Sequence, residues 1–213
     1  MQLSVMAVGP FMANCWVLKD DKTGKALLVD PGFYSEELET FLQKIGINEL
    51  EYILITHGHL DHFCGAPYIK EKFGGKIVIG EKDKDETQRL YKLFLGTDYE
   101  EQFKPFKADI TVSDGEKLNF CGEAIEILHT PGHTKGEVCY IINDMLFSGD
   151  VLFQGSIGRT DLDGGNVFML VESLKKLALL DKNYKILTGH GEKTTLDFEK
   201  ETNRYLKAAC GKK

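Results

Sequence analysis

The 213-residue sequence contains no apolar run close to the ~20 residues that a membrane-spanning helix requires. Its start, from Met1 to Phe11, has neither a basic segment nor a long apolar stretch, so we expect no signal peptide. The net charge of −7 is the opposite of the basic field of a general nucleic-acid binder. These absences predict a cytoplasmic protein that binds neither membranes nor nucleic acid.

Cysteine is scarce, and its spacing argues against structural disulfides. The five cysteines are far apart in the chain, and none belongs to a Cys-x-x-Cys pair. This pattern favours reduced thiols in a cytosol. No internal repeat, low-complexity tract or linker divides the chain, whose length suits one domain with its own core. The sequence therefore predicts a single domain over residues 1–213.

Histidine is concentrated in one place, because three of the six histidines lie within six consecutive residues. The motif Thr56-His57-Gly58-His59-Leu60-Asp61-His62 follows an apolar run with the composition of a buried strand. In an extended segment His57 and His59 point to the same side, whereas the adjacent Asp61 and His62 diverge. Imidazoles and carboxylates bind zinc, iron and manganese. The motif therefore predicts metal ligands in preference to a histidine-rich surface loop.

The other candidate ligands also lie just past the ends of predicted strands. Sheet proteins place their sites outside strand ends, because the strands hold the roots of the loops rigidly. If these ends converge on one edge, they bring together enough ligands for two metal ions: His57, His59, Asp61, His62, His133, Asp150 and His190. His129 ends its strand four residues before His133 and is expected to be structural. Asp30 either orients a ligand histidine or only ends its strand.

A division of these ligands into two centres follows from their chemistry. The first metal would take three nitrogens and keep a position open for water; its ligands would be His57, His59 and His133. The second metal would be held by Asp61, His62 and His190. Asp150 would bridge the two ions, which can share a hydroxide when they lie about 3.5–4 Å apart.

Two other segments carry expectations about structure. Residues 96–108 form a long loop with several aromatic residues, typical either of a lid or of a loop pinned to the core by its phenylalanines. The capping pattern Thr194-Thr195-Leu196-Asp197 predicts a final helix that runs to about Ala209. Its buried face is expected to include Phe198, Thr202 and Tyr205.

Four motifs, in this order, resemble the metallo-β-lactamase-fold hydrolases: Thr56 to His62, Pro131-Gly132-His133-Thr134, Ser148-Gly149-Asp150 and Gly189-His190-Gly191. With Asp30 they span most of the chain. The resemblance implies an α/β fold of the αββα type, a sandwich of two mixed β-sheets flanked by helices, with the metals at one edge.

Within that family, two segments resemble the glyoxalase II-like branch, the hydroxyacylglutathione hydrolases: Leu152 to Asp161, and Gly189-His190-Gly191 with Thr194-Thr195. That branch hydrolyses the thioester S-lactoylglutathione. Arg159 stands where the branch carries a cation that binds the thiol carrier. Longer members add a C-terminal helical substrate domain, but only about twenty residues follow His190 here, enough for one helix. The resemblance is therefore to the short, single-domain members.

The sequence thus predicts a dinuclear metallohydrolase that cleaves a small-molecule thioester with a metal-bridging hydroxide. The expected cofactors are two divalent ions, zinc first, with iron or manganese as alternatives. Asp61 and Asp150 are the carboxylates assigned to the catalytic centre. The rival functions are a persulfide dioxygenase with a single iron, and another ester or lactone hydrolase of the same fold. A non-enzymatic binding domain is disfavoured by the complete ligand set, and the oligomeric state does not follow from the sequence.

Overall fold

The computed structural model describes residues 1–94, 96 and 103–211. The contacts of the chain divide it into two compact units, Met1–Val112 and Ser113–Lys213. Each unit has its own six-stranded mixed sheet and its own cluster of buried apolar side chains. Among the described residues, no helix combines the length and the apolar character needed to span a bilayer.

The sheet of the first unit contains six strands that lie side by side in chain order. The pairs β1/β2 and β2/β3 are antiparallel, and the strands from β3 to β6 run parallel. The apolar runs of β3 and β5 are almost entirely buried, as expected for parallel strands covered on both faces. The strands are β1 (Gln2–Val8), β2 (Ala13–Lys19), β3 (Ala26–Val29), β4 (Leu50–Ile55), β5 (Lys76–Gly80) and β6 (Ile110–Val112).

Within the described residues, four helices and a 3₁₀ turn connect these strands: α1 (Glu36–Lys44), α2 (Leu60–Phe63), α3 (Ala66–Phe73), the turn Glu81–Asp83, and α4 (Glu86–Phe94). Ser35 caps α1 by accepting the N–H of Leu38, as its sequence pattern predicts. Between α2 and α3 lies Gly65, where an added Cβ would stand only 2.9 Å from the carbonyl oxygen of Gly32. Because Gly65 has no side chain, the loop that carries the histidine motif can pack against the residues that follow β3.

The register of β3 and β4 positions the first group of candidate ligands. Val29 pairs with Leu54, and the N–H of Asp30 donates to the carbonyl of Leu54 at 2.9 Å. Asp30 and Thr56 therefore leave neighbouring parallel strands side by side. The end of β4 delivers Thr56 and the histidine motif to this edge of the sheet, as the sequence pattern predicts.

The described part of the aromatic loop is pinned to the core of the first unit. Phe103 is buried and contacts the ring of Phe33, with the ring centroids 6.2 Å apart. Phe106 packs in the same way on Phe63, at 5.9 Å. The pinned alternative is therefore the correct one for 103–108. The rest of the loop, 97–102, lies outside the described residues.

The sheet of the second unit has the order β14-β13-β10-β9-β8-β7, and only the β10/β13 pair is parallel. Its strands are β7 (Lys117–Phe120), β8 (Glu123–His129), β9 (Val138–Ile142), β10 (Met145–Gly149), β13 (Lys185–Thr188) and β14 (Thr194–Thr195). A small hairpin of β11 (Leu152–Phe153) and β12 (Ser156–Ile157) follows β10. The backbone N–H of Gly189 donates to the carbonyl of Gly149 at 2.8 Å. This bond brings the turns after β10 and β13 together.

The helices of the second unit are α5 (Val167–Ala178), α6 (Leu196–Thr202) and α7 (Arg204–Ala209). The predicted single helix to Ala209 is wrong, because the chain leaves helical geometry at Asn203, with φ −72° and ψ 110°. The side chain of Asn203 then caps α7 by accepting the N–H groups of Tyr205 and Leu206. The predicted buried face is also wrong, already at Phe198 and Thr202, which precede this restart. Phe198 is 47% exposed, whereas Leu196, Glu199 and Leu206 are buried.

Candidate metal centre

The first unit places two imidazole nitrogens next to each other at the end of β4. His57 is fully buried, and its Nε2 lies 3.1 Å from Nδ1 of His59. The two rings meet nearly edge to face, at an interplanar angle of 88°. One nitrogen from each ring therefore points at the same place, which is the arrangement that a shared metal ion needs.

Asp30 orients this group of ligands from behind. Its Oδ1 accepts the backbone N–H of Thr56 and its Oδ2 accepts the Thr56 hydroxyl, both at 2.8 Å. Because that hydroxyl donates its hydrogen to Asp30, its oxygen accepts a hydrogen bond from the Nδ1–H group of His57, 3.0 Å away. Nε2 of His57 then carries the lone pair. Of the two roles proposed for Asp30, orienting a ligand histidine is therefore the one observed.

Asp61 and His62 form a second pair in the same unit. Nδ1 of His62 lies 2.9 Å from Oδ2 of Asp30, and both side chains are almost completely buried. This contact turns Nε2 of His62 towards Asp61, whose Oδ2 is 3.7 Å away. The four predicted ligands of the first unit thus lie in two adjacent pairs, His57 with His59 and Asp61 with His62.

In the second unit, the carboxylate of Asp150 lies between two imidazoles. Its Oδ2 is 3.4 Å from Nε2 of His133 and 3.7 Å from Nε2 of His190. Asp150 and His133 are buried, whereas His190 is partly exposed and faces the ring of Phe153. A carboxylate has two oxygens and can serve two ions, so this position is the one that a bridging ligand requires.

The segment after β12 orients His133. Its Nδ1 donates to the carbonyl oxygen of Arg159 at 2.8 Å, so Nε2 keeps its lone pair and faces Asp150. The preceding Gly158 packs so closely that an added Cβ would overlap the carbonyl oxygen of Asp150 and stand 3.3 Å from Cβ of His133. Glycine is therefore required there by space.

The guanidinium of Arg159 pairs with the carboxylate of Asp161 through two parallel hydrogen bonds. Nε and Nη2 each lie 2.7 Å from a different oxygen of Asp161. The hydrogen bond to Arg159 is the main reason that the pKa of Asp161 is lowered to about 2. The cation that the sequence assigns to the substrate is thus already bound to a carboxylate of its own chain.

Other polar residues near these motifs have structural contacts. Nε2 of His129 lies 3.1 Å from the carbonyl oxygen of Lys135, and its backbone N–H donates to Asp114. Burial raises the pKa of the Cys15 and Cys64 thiols, and raises that of Cys139 to about 12. These three cysteines are therefore poor nucleophiles at neutral pH.

Two buried carboxylates that the sequence motifs did not predict support the loops of the candidate ligands. Oδ2 of Asp83 accepts the backbone N–H of Gly58 at 2.9 Å, and Oε1 of Glu137 accepts that of Asp150 at 2.7 Å. Asp83 lies in a highly charged stretch, where it looks like a surface residue. Glu137 carried a usable signal, because it is a lone acid immediately before the apolar strand β9.

The donor set of each unit suits a divalent ion. Both sets combine histidine nitrogens with a carboxylate, and His57, His62 and His133 each have their other ring nitrogen bonded to a protein oxygen. That second contact fixes the tautomer and leaves a lone pair for a metal. The residues present therefore fit metal ions.

Comparison with known proteins identifies the family. The sequence profile of the Metallo-beta-lactamase superfamily matches residues 8–190, and the chain belongs to this superfamily. Hydroxyacylglutathione hydrolase GloC of Haemophilus influenzae is 37% identical over 218 residues, covering 97% of this chain and 98% of that protein. The B3 metallo-beta-lactamase BLEG-1 has a similar crystal structure, with a TM-score of 0.86, 31% identity, and coverage of 96% of this chain and 99% of that one.

A third relative was solved with metal. The protein TTHA1623, in a di-iron-bound form, has a TM-score of 0.77 and 28% identity, over 95% of this chain and 99% of that one. These matches confirm the predicted fold class and the predicted resemblance. The chain is therefore a metal-dependent hydrolase of a superfamily that binds divalent metals.

Proposed function

We propose that this chain is a glyoxalase II-like thioesterase with two divalent metal ions, zinc first. The observation that carries the proposal is the position of Asp150, whose carboxylate lies within 4 Å of both His133 and His190. A ligand between two imidazoles suits a dinuclear centre better than a single ion. The substrate class is supported by the similarity to the hydroxyacylglutathione hydrolase along nearly the whole chain.

In this proposal, the predicted ligands divide between the two ions as the sequence motifs suggest. One ion takes the nitrogens of His57, His59 and His133. The other takes Asp61, His62 and His190, and Asp150 serves both ions. Residues 1–213 then act as one catalytic domain.

The chain's own residues prepare this chemistry before any ion binds. The contacts of Asp30, Thr56 and the carbonyl of Arg159 keep the ligand histidines in the tautomers that a cation needs. When bound, two divalent ions would lower the pKa of water to about 7 and supply hydroxide at neutral pH. The thiolate released from a thioester is a good leaving group, so no strong general acid is needed. The buried thiols of Cys15, Cys64 and Cys139 take no part.

The test combines metal analysis with a substrate screen. Protein purified without added metal or chelator should contain close to two divalent ions per chain and hydrolyse S-lactoylglutathione or a related acyl-thioester. Asp150→Ala should abolish hydrolysis and lower the metal content, because one carboxylate serves both ions. The matched control is Asp144→Ala, which removes an aspartate of the same unit that pairs with Lys185; it should keep metal and turnover.

Three results would contradict different parts of the proposal. If Asp150→Ala keeps two ions and near-normal turnover, the division of ligands is wrong. If the native chain holds one iron and consumes oxygen with glutathione persulfide, it is a persulfide dioxygenase. If the chain hydrolyses esters or lactones but not thioesters, the proposed metal centre stands and the proposed substrate class is wrong.

A further inference from the structure

Two carboxylates outside the ligand motifs are fully buried and bind the backbone of the ligand loops. In the first unit, Asp83 ends the 3₁₀ turn after β5 and has no exposed surface. Its Oδ2 accepts the N–H of Gly58 at 2.9 Å. In the second unit, Glu137 precedes β9, is also fully buried, and accepts the N–H of Asp150 through Oε1 at 2.7 Å.

Each hydrogen bond fixes the backbone at a proposed ligand or at its immediate neighbour in the chain. Gly58 is the residue between His57 and His59, and its N–H belongs to the peptide bond that follows His57. The hydrogen bond to Asp83 therefore fixes the backbone between these two proposed ligands. The loop has little room to move, because a Cβ on Gly58 would stand 2.7 Å from Cβ of Glu86. Asp83 therefore holds this loop at a set position against the start of α4.

Glu137 ties two ligand-bearing turns to the start of β9. Its carboxylate accepts the N–H of Asp150, and its backbone carbonyl accepts the N–H of Thr130 at 2.9 Å. The turn from Thr130 carries His133, and Asp150 begins the turn after β10. One residue therefore sets the spacing between the proposed bridging carboxylate and a proposed histidine ligand.

The burial of these acids has a physical cost that a metal would offset. A carboxylate removed from water is strongly disfavoured, and hydrogen bonds compensate only part of that loss. A divalent cation close to the ligand loops would compensate much more. A negative charge next to the ligands also favours binding of the cation.

We infer that Asp83 and Glu137 are positioning residues that raise the affinity of this chain for divalent metal. Each carboxylate holds a ligand loop through a backbone N–H and adds negative charge beside the ligands. The inference rests on the metal binding of the proposed function and is independent of the substrate. Zinc affinity and thermal stability test it, so a chain that binds zinc without cleaving thioesters would refute the proposed activity alone.

The experiment uses two kinds of variant of the full chain. Asp83→Asn and Glu137→Gln keep an acceptor oxygen and lose the charge, whereas Asp83→Leu and Glu137→Met lose both. Zinc affinity is measured by competition with a chromophoric chelator, and Tm is measured with and without zinc. The apolar variants should bind zinc about 10–100-fold more weakly, the range typical for residues that support metal ligands. The amide variants should lose about three- to tenfold, because they keep the hydrogen bond.

The apoprotein separates this role from a purely structural one. Removing a buried charge stabilises the folded state, whereas removing its hydrogen bond destabilises it. Because these two effects oppose each other, the Tm of the metal-free variants should stay within a few degrees of the parent. The rise in Tm on adding zinc should shrink, because that rise follows the affinity. The control is Asp20→Asn, a buried aspartate that holds the turn at Thr23 far along the chain from the ligands. It should lower both Tm values equally and leave zinc affinity unchanged.

The inference would be overturned if all four variants bind zinc as tightly as the parent. It would also be overturned if the metal-free Tm falls while the rise with zinc stays the same. If an apolar variant does not fold, the amide variant at the same position decides. An unchanged zinc affinity in that variant contradicts the inference.

Discussion

Arg159 contributes to the molecule through two different groups. Its carbonyl oxygen orients His133, while its guanidinium is held by Asp161 in an exposed, bidentate pair. The predicted role of Arg159, binding the carboxylate of a thiol carrier, therefore requires the carrier to displace Asp161 or to share the cation with it. Exposed ion pairs are weak because water screens them, so a substrate can overcome this competition.

The first prediction concerns this competition. Asp161→Asn should lower KM for a glutathione thioester by about two- to fivefold, because the carrier no longer competes with a carboxylate of the chain. Arg159→Ala should raise KM about 10–100-fold, since a charge-assisted hydrogen bond contributes about 1.5–3 kcal/mol. In both variants kcat should stay within a few-fold, because contact with the carrier is alike in ground and transition states. Steady-state kinetics measures both constants.

The control is a thioester with an uncharged carrier, which should be nearly indifferent to either substitution. If Arg159→Ala impairs both substrates equally, the side chain only braces its loop. If Asp161→Asn raises KM for the charged carrier, the pair positions the cation for the substrate and does not compete with it.

At the scale of elements, the hairpin of β11 and β12 controls the ligands of the second unit. It carries the chain from Asp150 to the carbonyl that orients His133. The helices α6 and α7 hold it from the other side: Glu199 accepts the N–H of Gly155 at 2.9 Å, and Asn203 donates to the carbonyl of Ser156 at 3.1 Å. The break between α6 and α7 at Asn203 is thus part of the support for the candidate site.

The second prediction is that Gly158→Ala displaces the ligands of this unit. The new Cβ would overlap the carbonyl oxygen of Asp150, so Asp150 or His133 must move. Metal content should fall by at least one ion per chain, and hydrolysis should fall with it. Elemental analysis of the purified variant, beside its Tm, measures this effect.

Gly155→Ala is the matched control within the same hairpin. A Cβ there meets no described atom within 4 Å, but the backbone has φ +66°. The left-handed conformation should cost about 1–2 kcal/mol of stability and leave metal binding intact. Normal metal content in Gly158→Ala would mean that the hairpin does not set the ligand geometry.

At the scale of the whole molecule, the proposed centre takes its ligands from motifs that lie far apart in the chain. The third prediction is therefore that zinc protects these separate segments from hydrogen exchange over the same range of concentration. Mass spectrometry should show slower exchange in peptides covering 52–63 and 129–137, and Asp150→Ala should weaken both effects. Protection confined to one of the two peptides would contradict a shared centre.

The fourth prediction concerns acid stability. Hydrogen bonds from Lys185 and from Thr23 lower the pKa of Asp144 and of Asp20 respectively. In Asp109 and Asp114 burial acts to raise the pKa, but hydrogen bonds from Lys70 and Lys176 and from backbone N–H groups outweigh it. Since the folded-state pKa values are lowered, the stability that these carboxylates contribute is present above the unfolded pKa, near 3.9, and is lost as the pH falls through the folded values.

The Tm of the metal-free protein should therefore fall progressively from about pH 4 towards pH 2. The lower limit follows from Asp161, whose pKa is lowered to about 2. Metal-free protein is used so that release of metal in acid does not add to the effect. The variant Asp144→Asn should flatten the slope slightly; a Tm that does not change over this range would show that these pairs contribute nothing to stability.

The sequence by itself determined the features that depend on neighbouring residues. An apolar strand followed by His57 and His59 two positions apart is a local pattern, and the motifs at His133, Asp150 and His190 are local in the same way. These motifs and their order were therefore enough to predict the ligand residues that we propose and the resemblance to a family, and that resemblance implied the fold class. The helix caps Ser35 and Asn166 are local features of the same kind, because capping involves residues only two or three positions away.

Only the tertiary structure decided the features that depend on residues far apart in the chain. Asp30 contacts Thr56, which is 26 positions away, and His62, which is 32 positions away. Its role in orienting a histidine therefore had no pattern among its neighbours in the sequence. Asp83 lies 25 positions from Gly58, and the carbonyl of Arg159 lies 26 positions from His133. The break at Asn203 depends on carbonyls of a hairpin about fifty residues earlier. Such contacts form where strand register and packing bring distant backbone together, and no short sequence pattern encodes that proximity.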